Sequence, residues 1–237
     1  MIPVMRAAVH RAVDGVRDRI ATAAARAGRD PASVRLVAVA KGFDFRYVDN
    51  AIAAGVTDIG ENRVHEVAEK RQHTLSATWH MVGHLQTNKA ARAAALFDVV
   101  HSIDSARIAR ALADHRAKEA VPLRLLVEVD LTGMPQRTGA APGEIESLVH
   151  AIRGMSGVDL IGLMTIAPPA DDIEHARPYF ARLREIRDRV QEATGHPLPE
   201  LSMGMSSDFE VAVEEGATML RVGRAIFAPE PAGGGYP

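Results

Sequence analysis

The chain has 237 residues, 47% hydrophobic and 24% charged, enough apolar material for a sizeable core and the wrong composition for intrinsic disorder. Its 28 Lys and Arg against 30 Asp and Glu leave a net charge of -2, without the basic excess that a nucleic-acid partner requires. The absence of cysteine excludes disulfides, cysteine-ligated metal centres and a thiol nucleophile, and suits a reducing, cytoplasmic setting.

Residues 4–27 place Val9, Val13, Val16, Ile20 and Ala24 at helical spacing and stop at Gly28, which predicts a leading helix. Arg6, Arg11, Asp14, Arg17, Asp18 and Arg19 break up any signal-peptide core there. No apolar run approaches the roughly 18 to 20 residues of a membrane span, since even 121–129 contains Arg124 and Glu128, so no membrane is expected among the partners. Residues 34–40 are short, apolar and β-branched, bounded by Pro31 and Gly42, and read as a buried strand followed by a helix at 46–54. Further strands are expected at 56–59, 78–82, 98–103, 123–129, 159–164, 200–203 and 218–222. Helical patterns at 63–75, 88–96, 105–118, 142–153, 173–193 and 208–215 separate them. Strands joined by helical crossovers run parallel, and about eight βα units in this length favour a single (β/α)8 TIM-type barrel with an additional N-terminal helix over a doubly wound open sheet. The barrel is expected to span 1–228, with the Pro- and Gly-rich 229–237 as a flexible tail.

In such a barrel the site lies where strands end and βα loops begin. The residues at those places are Lys41, Glu61, Asn62, Gly83, His84, Ser102, 130–133, Thr165, 204–207, Gly223 and Arg224. At the mouth of a low-dielectric barrel Lys41 is either an amine nucleophile or a lysine snorkelling into solvent; position alone leaves both open. In the run SMGMSSD at 202–208 a strand meets Gly and Ser before a helix, which either leaves N–H groups free as an anion site or uses Ser206 or Ser207 as an ordinary N-cap. A second glycine turn, RVGRA at 221–225, follows the last strand, and two such turns together point to a phosphorylated ligand. His80 and His84 do not converge when they belong to a strand and its loop, so no metal site is expected. His101 reads as a hydrogen-bonded histidine of the rim or core, and the charges of 173–192 as a solvated helix face.

The runs VAVAK at 37–41, IGENR at 59–63, WHMVGHLQTNK at 79–89, HSIDS at 101–105, GLMTIAP at 162–168, LSMGMS at 201–206 and RVG at 221–223 resemble the pyridoxal 5'-phosphate homeostasis proteins, single-domain relatives of the alanine racemase barrel. The resemblance covers residues 37–227. It implies pyridoxal 5'-phosphate (PLP) as cofactor, an internal aldimine on Lys41, and a phosphate held by Ser206, Ser207 and Gly223. It further implies Arg221 at the pyridine nitrogen, Asn62 near the ring, and Met164 and Met205 as walls. The chain departs from the family pattern at Ala40, where Ser or Thr is common, at Gly42 and Phe43, at Arg224, where a small hydroxyl residue is usual and a phosphate contact is exchanged for a guanidinium, and at Ala228, where Gly is customary.

A cationic Arg221 disfavours protonation of the ring nitrogen and weakens the ring as an electron sink. Racemisation also needs a second acid/base, which alanine racemases take from an added domain, and Tyr47, Tyr179 and Tyr236 offer no obvious substitute. The expectation is therefore a monomeric cytoplasmic protein that stores, buffers or delivers PLP to apo PLP-dependent enzymes, without catalytic residues of its own. The alternatives are a PLP-dependent racemase or decarboxylase of a small amino acid, and a barrel for another phosphorylated metabolite.

Overall fold

The computed structural model describes residues 2–74 and 76–228, with side chains from Val4 onward. The expected tail at 229–237 and Tyr236 lie outside the described residues. A leading helix, α1 (Ile2–Arg26), precedes β1 (Arg35–Val39), α2 (Phe45–Ala53), β2 (Asp58–Glu61), α3 (Val64–His73), β3 (Thr78–Met81), α4 (Ala90–Leu96), β4 (Val99–Ile103) and α5 (Ala106–Arg116). The chain continues through β5 (Leu123–Glu128), α6 (Ile145–Ile152), β6 (Val158–Met164), α7 (Arg177–Thr194), β7 (Glu200–Ser202), α8 (Phe209–Glu214), β8 (Met219–Val222) and α9 (Arg224–Phe227). The strands pair in parallel and in chain order, and β1 pairs with β8, closing the eight-stranded barrel.

Period-2 alternation sorts the strands between helices and lumen, interrupted by register shifts at Val100/Ile103 and at Leu125/Leu126. Ala38, Ile59, Trp79, Met81, Leu125 and Val127 pack outward into the main apolar core beneath the helices. Val99, Leu126, Met164 and Met219 form a smaller apolar cluster inside the barrel. The helix α1 buries Val9, Val13, Val16, Ile20, Ala23 and Ala24 and packs across α2, α8 and α9, covering the elements that flank β1 and β8. At roughly 1.5–3 kcal/mol per fully buried large aliphatic side chain, that stripe holds α1 in place.

Several boundaries differ from the sequence reading. The second strand starts at Asp58 and includes Glu61, two residues later than the apolar signal at Val56 suggests, because Val56 is buried in the link after α2. Ser102 falls inside β4 rather than beyond its end. The helix expected from 173 begins as a 3-10 turn, Ile173–Ala176, and becomes α-helical at Arg177, with Pro178 in its first turn. The short α9 was not anticipated; four residues carry no periodic signal.

Candidate functional site at the carboxyl end of the barrel

A cavity of about 330 Å³ opens where β1, β7 and β8 end. Lys41, Asn62, Met205, Ser206, Ser207, Arg221, Gly223 and Arg224 line it together with apolar Val39, Val82, Ile166 and Phe43. Of the residues singled out in the sequence, Met164 is not among the lining residues: it is fully buried in the apolar cluster of the lumen. Lys41 lines the cavity and is exposed. Glu61 also leaves the rim, since alternation turns it outward beneath α3, where burial pushes its carboxyl up to about 7 against the opposing pull of the Lys70 ammonium. Arg224 borders both this cavity and a neighbouring one of about 270 Å³.

Two glycines shape the turns that follow β7 and β8. Gly204 has φ +91°, and a Cβ there would stand 2.5 Å from the Ala212 Cβ, so only glycine makes this turn out of β7. Asp208 closes the turn, its carboxylate accepting from Met205 N–H at 2.6 Å. A Cβ at Gly223 would come 3.0 Å from the Val39 carbonyl oxygen, so glycine lets the ends of β1 and β8 approach. Ser206 Oγ accepts from Ala225 N–H at 3.2 Å, tying the two turns together. The backbone N–H groups of Ser206, Ser207, Gly223 and Arg224, four residues that line the cavity, donate to no described residue.

Arg221 forms the floor. Its guanidinium donates to Ser202 Oγ at 2.5 Å and to the Thr165 carbonyl at 2.8 Å, and its Nε–H has no partner among the described residues. Burial pulls its pKa down to about 10, opposed by the carboxylates of Glu128 and Asp208, so it stays cationic at neutral pH.

Beneath it a polar chain crosses the lumen: Ser202 Oγ to His101 Nδ1 at 2.8 Å, His101 Nε2 to His80 Nδ1 at 2.8 Å, and His80 Nε2 to Asp58 Oδ1 at 2.9 Å. Burial lowers the pKa of both histidines. Burial also pushes the Asp58 carboxyl up, but bonds from His80 and Thr57 and the charge of Arg35 outweigh it and hold the group ionised. Two neutral imidazoles ending on a carboxylate fix the tautomers: His80 donates from Nε2, His101 donates from Nε2, and Ser202 donates to His101. Every bond therefore points one way, from Arg221 to Asp58. His101 was expected as a hydrogen-bonded histidine; the continuous chain was not foreseen. Its members come from β2, β3, β4, β7 and β8, so no local spacing announces it. Among the described residues no group of three His, Asp or Glu side chains could hold a metal ion, and no helix is long and apolar enough to cross a membrane.

Comparison with known proteins matches residues 12–231 to the family described as alanine racemase, N-terminal domain. The pyridoxal phosphate homeostasis protein of Pseudomonas aeruginosa is 39% identical over 214 residues, 90% of this chain and 91% of that protein. The structure of PipY from Synechococcus elongatus, solved with PLP bound, superposes with a TM-score of 0.79 at 35% identity, over 90% of this chain and all of that one. An alanine racemase of Clostridium difficile shares the fold, with a TM-score of 0.74 at 15% identity over 97% of this chain and 57% of its own. Barrel, rim cavity and sequence agree, and the chain belongs to the pyridoxal phosphate homeostasis protein family, within the wider alanine racemase N-terminal domain family.

Proposed function

We propose that this chain binds PLP in the rim cavity, holds it as an aldimine on Lys41, and stores or delivers it to apo PLP-dependent enzymes rather than turning over a substrate. The observation that carries this reading is the convergence on one cavity of a primary amine, free backbone N–H groups with two serine hydroxyls, and a buried guanidinium. The donor set fits the cofactor part by part. The N–H groups and hydroxyls of Ser206 and Ser207, with the N–H groups of Gly223 and Arg224, suit a phosphate dianion. Arg221 Nε–H is available to an acceptor nitrogen, and Val39, Val82, Ile166 and Met205 offer apolar contact to a ring, with Asn62 at its edge. Bound there, the cofactor would supply an aldehyde for an amine and a ring that withdraws electrons. Arg221 opposes protonation of that ring, which favours holding over carbanion chemistry.

The lining contains no Tyr, His, Asp or Glu among the described residues, so nothing stands ready as a second acid or base opposite Lys41. Tyr47 packs its ring on Phe43 at 5.0 Å and is not among the lining residues.

The test mixes PLP-loaded protein with an apo-aminotransferase, and separately follows L-alanine and L-serine by chiral chromatography. Return of aminotransferase activity without D-amino acid is the expected result. Robust D-amino acid formation that vanishes in Lys41→Ala would make the protein an enzyme.

A further inference from the structure

After β1 the chain turns at residues 40–43 and presents Lys41. Two side chains of α3 grip this turn from outside the cavity. Lys70 Nζ donates to the Ala40 carbonyl at 2.9 Å. Gly42 N–H donates to Glu66 Oε2 at 3.1 Å. Glu66 and Lys70 are four residues apart on one helix face, with their charges 3.7 Å apart. The Ala40 carbonyl belongs to the peptide plane before the Lys41 Cα, and the Gly42 N–H belongs to the plane after it. Two held planes fix both φ and ψ at Lys41, and with them the direction in which its side chain leaves the backbone.

The rest of the turn agrees with this grip. Gly42 has φ +79°, and a Cβ there would meet nothing within 4 Å, so glycine is required by backbone conformation rather than by crowding. Ala40 N–H donates to the Gly60 carbonyl at 2.9 Å, tying the turn to β2. Lys70 is itself anchored by Glu61, fully buried at the end of β2, to which it donates a hydrogen bond. The other Glu61 oxygen has no partner among the described residues. None of Glu61, Glu66 and Lys70 lines the cavity.

We propose that Glu66 and Lys70 are positioning residues for Lys41, a clamp of opposite charges that aims its amine at an aldehyde held in the cavity. The inference rests on the reading that Lys41 captures the cofactor aldehyde. Glu66→Ala removes the acceptor from Gly42, whereas Glu66→Gln keeps an acceptor oxygen in place. The double variant Lys70→Met with Glu61→Gln removes the other arm without stranding a buried charge.

Three measurements are made on each variant: the rate of borohydride-trapped adduct formation at Lys41 with PLP, the affinity for pyridoxine 5'-phosphate, which carries an alcohol in place of the aldehyde, and amide hydrogen exchange at Gly42 in the ligand-free protein. Glu66→Ala and the double variant are expected to slow adduct formation about tenfold or more while leaving pyridoxine 5'-phosphate affinity within about twofold, because misaiming costs reaction rather than binding. Gly42 exchange rises in Glu66→Ala, and Glu66→Gln restores both rate and protection. Wild-type rates in Glu66→Ala, or equal losses of reaction and of pyridoxine 5'-phosphate affinity, would overturn the clamp alone. A wild-type protein that binds pyridoxine 5'-phosphate but forms no adduct at Lys41 would overturn the functional reading and the clamp with it.

Discussion

Arg221 and Lys41 reach the same cavity from neighbouring strands, β8 and β1, yet they are held in opposite ways. Arg221 is 5% exposed, and Ser202, His101, His80 and Asp58 extend its bonding across the lumen. Lys41 is exposed, and what is organised around it is its backbone, gripped by Glu66 and Lys70. On the arginine side the side chain itself is tied into the barrel, while on the lysine side the backbone is held and the amine is left accessible. Recognition and reaction are physically separable in such a site, and substitutions on each side should show different symptoms.

The largest effect on the arginine side is expected from Arg221→Met. It leaves Ser202 and the Thr165 carbonyl short of a donor and removes the cation facing Glu128 and Asp208, at a cost of about 3 kcal/mol. Urea denaturation measures it, and an unchanged midpoint would show that these bonds do not stabilise the fold. His101→Leu breaks the chain in its middle and strands His80 Nδ1 and Ser202, costing about 2 kcal/mol. The rate of adduct formation at Lys41 should stay near wild type in that variant; a parallel collapse would mean that the two sides are one unit.

On the lysine side the expected signature is a pH slope. Glu61 is raised from 4.5 in the unfolded chain to about 7 in the fold, so its contribution to stability is full below 4.5 and lost as pH rises towards 7. One proton sets an upper slope of about 1.4 kcal/mol per pH unit in this interval, and Glu61→Gln should flatten the profile. Identical profiles for the two proteins would remove Glu61 as the titrating group. The smallest effect is expected from Ser206→Ala with Ser207→Ala, less than about tenfold in cofactor affinity, because the backbone donors survive. Complete loss of binding by a folded double variant, followed by titration calorimetry, would assign the phosphate to the hydroxyls instead.

The barrel was legible because alternating apolar runs and helical patterns leave few other ways to join parallel strands. Lys41, Ser206, Ser207 and Gly223 were legible because each follows a strand end, where the fold itself points. Glu61 misled for the same reason: it follows the apolar signal, but it is still in the ladder, and period 2 turns it outward. Met164 was assigned to the wall through the family resemblance, yet the β5–β6 pairing, with a register shift at Leu125/Leu126, places it within the lumen cluster. The polar chain from Asp58 to Arg221 and the clamp from α3 were invisible, since both join residues brought together only by barrel closure or helix packing.

The central claim is that the Lys41 amine is the group that captures the cofactor. The chain holds only four lysines, Lys41, Lys70, Lys89 and Lys118, so the site of capture can be read without ambiguity. Protein loaded with PLP is reduced with borohydride, digested, and mapped by mass spectrometry. The expected result is a reduced phosphopyridoxyl group on Lys41 in the wild type and none in Lys41→Ala, which should remain folded; the same adduct on Lys89 or Lys118, or its persistence in Lys41→Ala, would contradict the account.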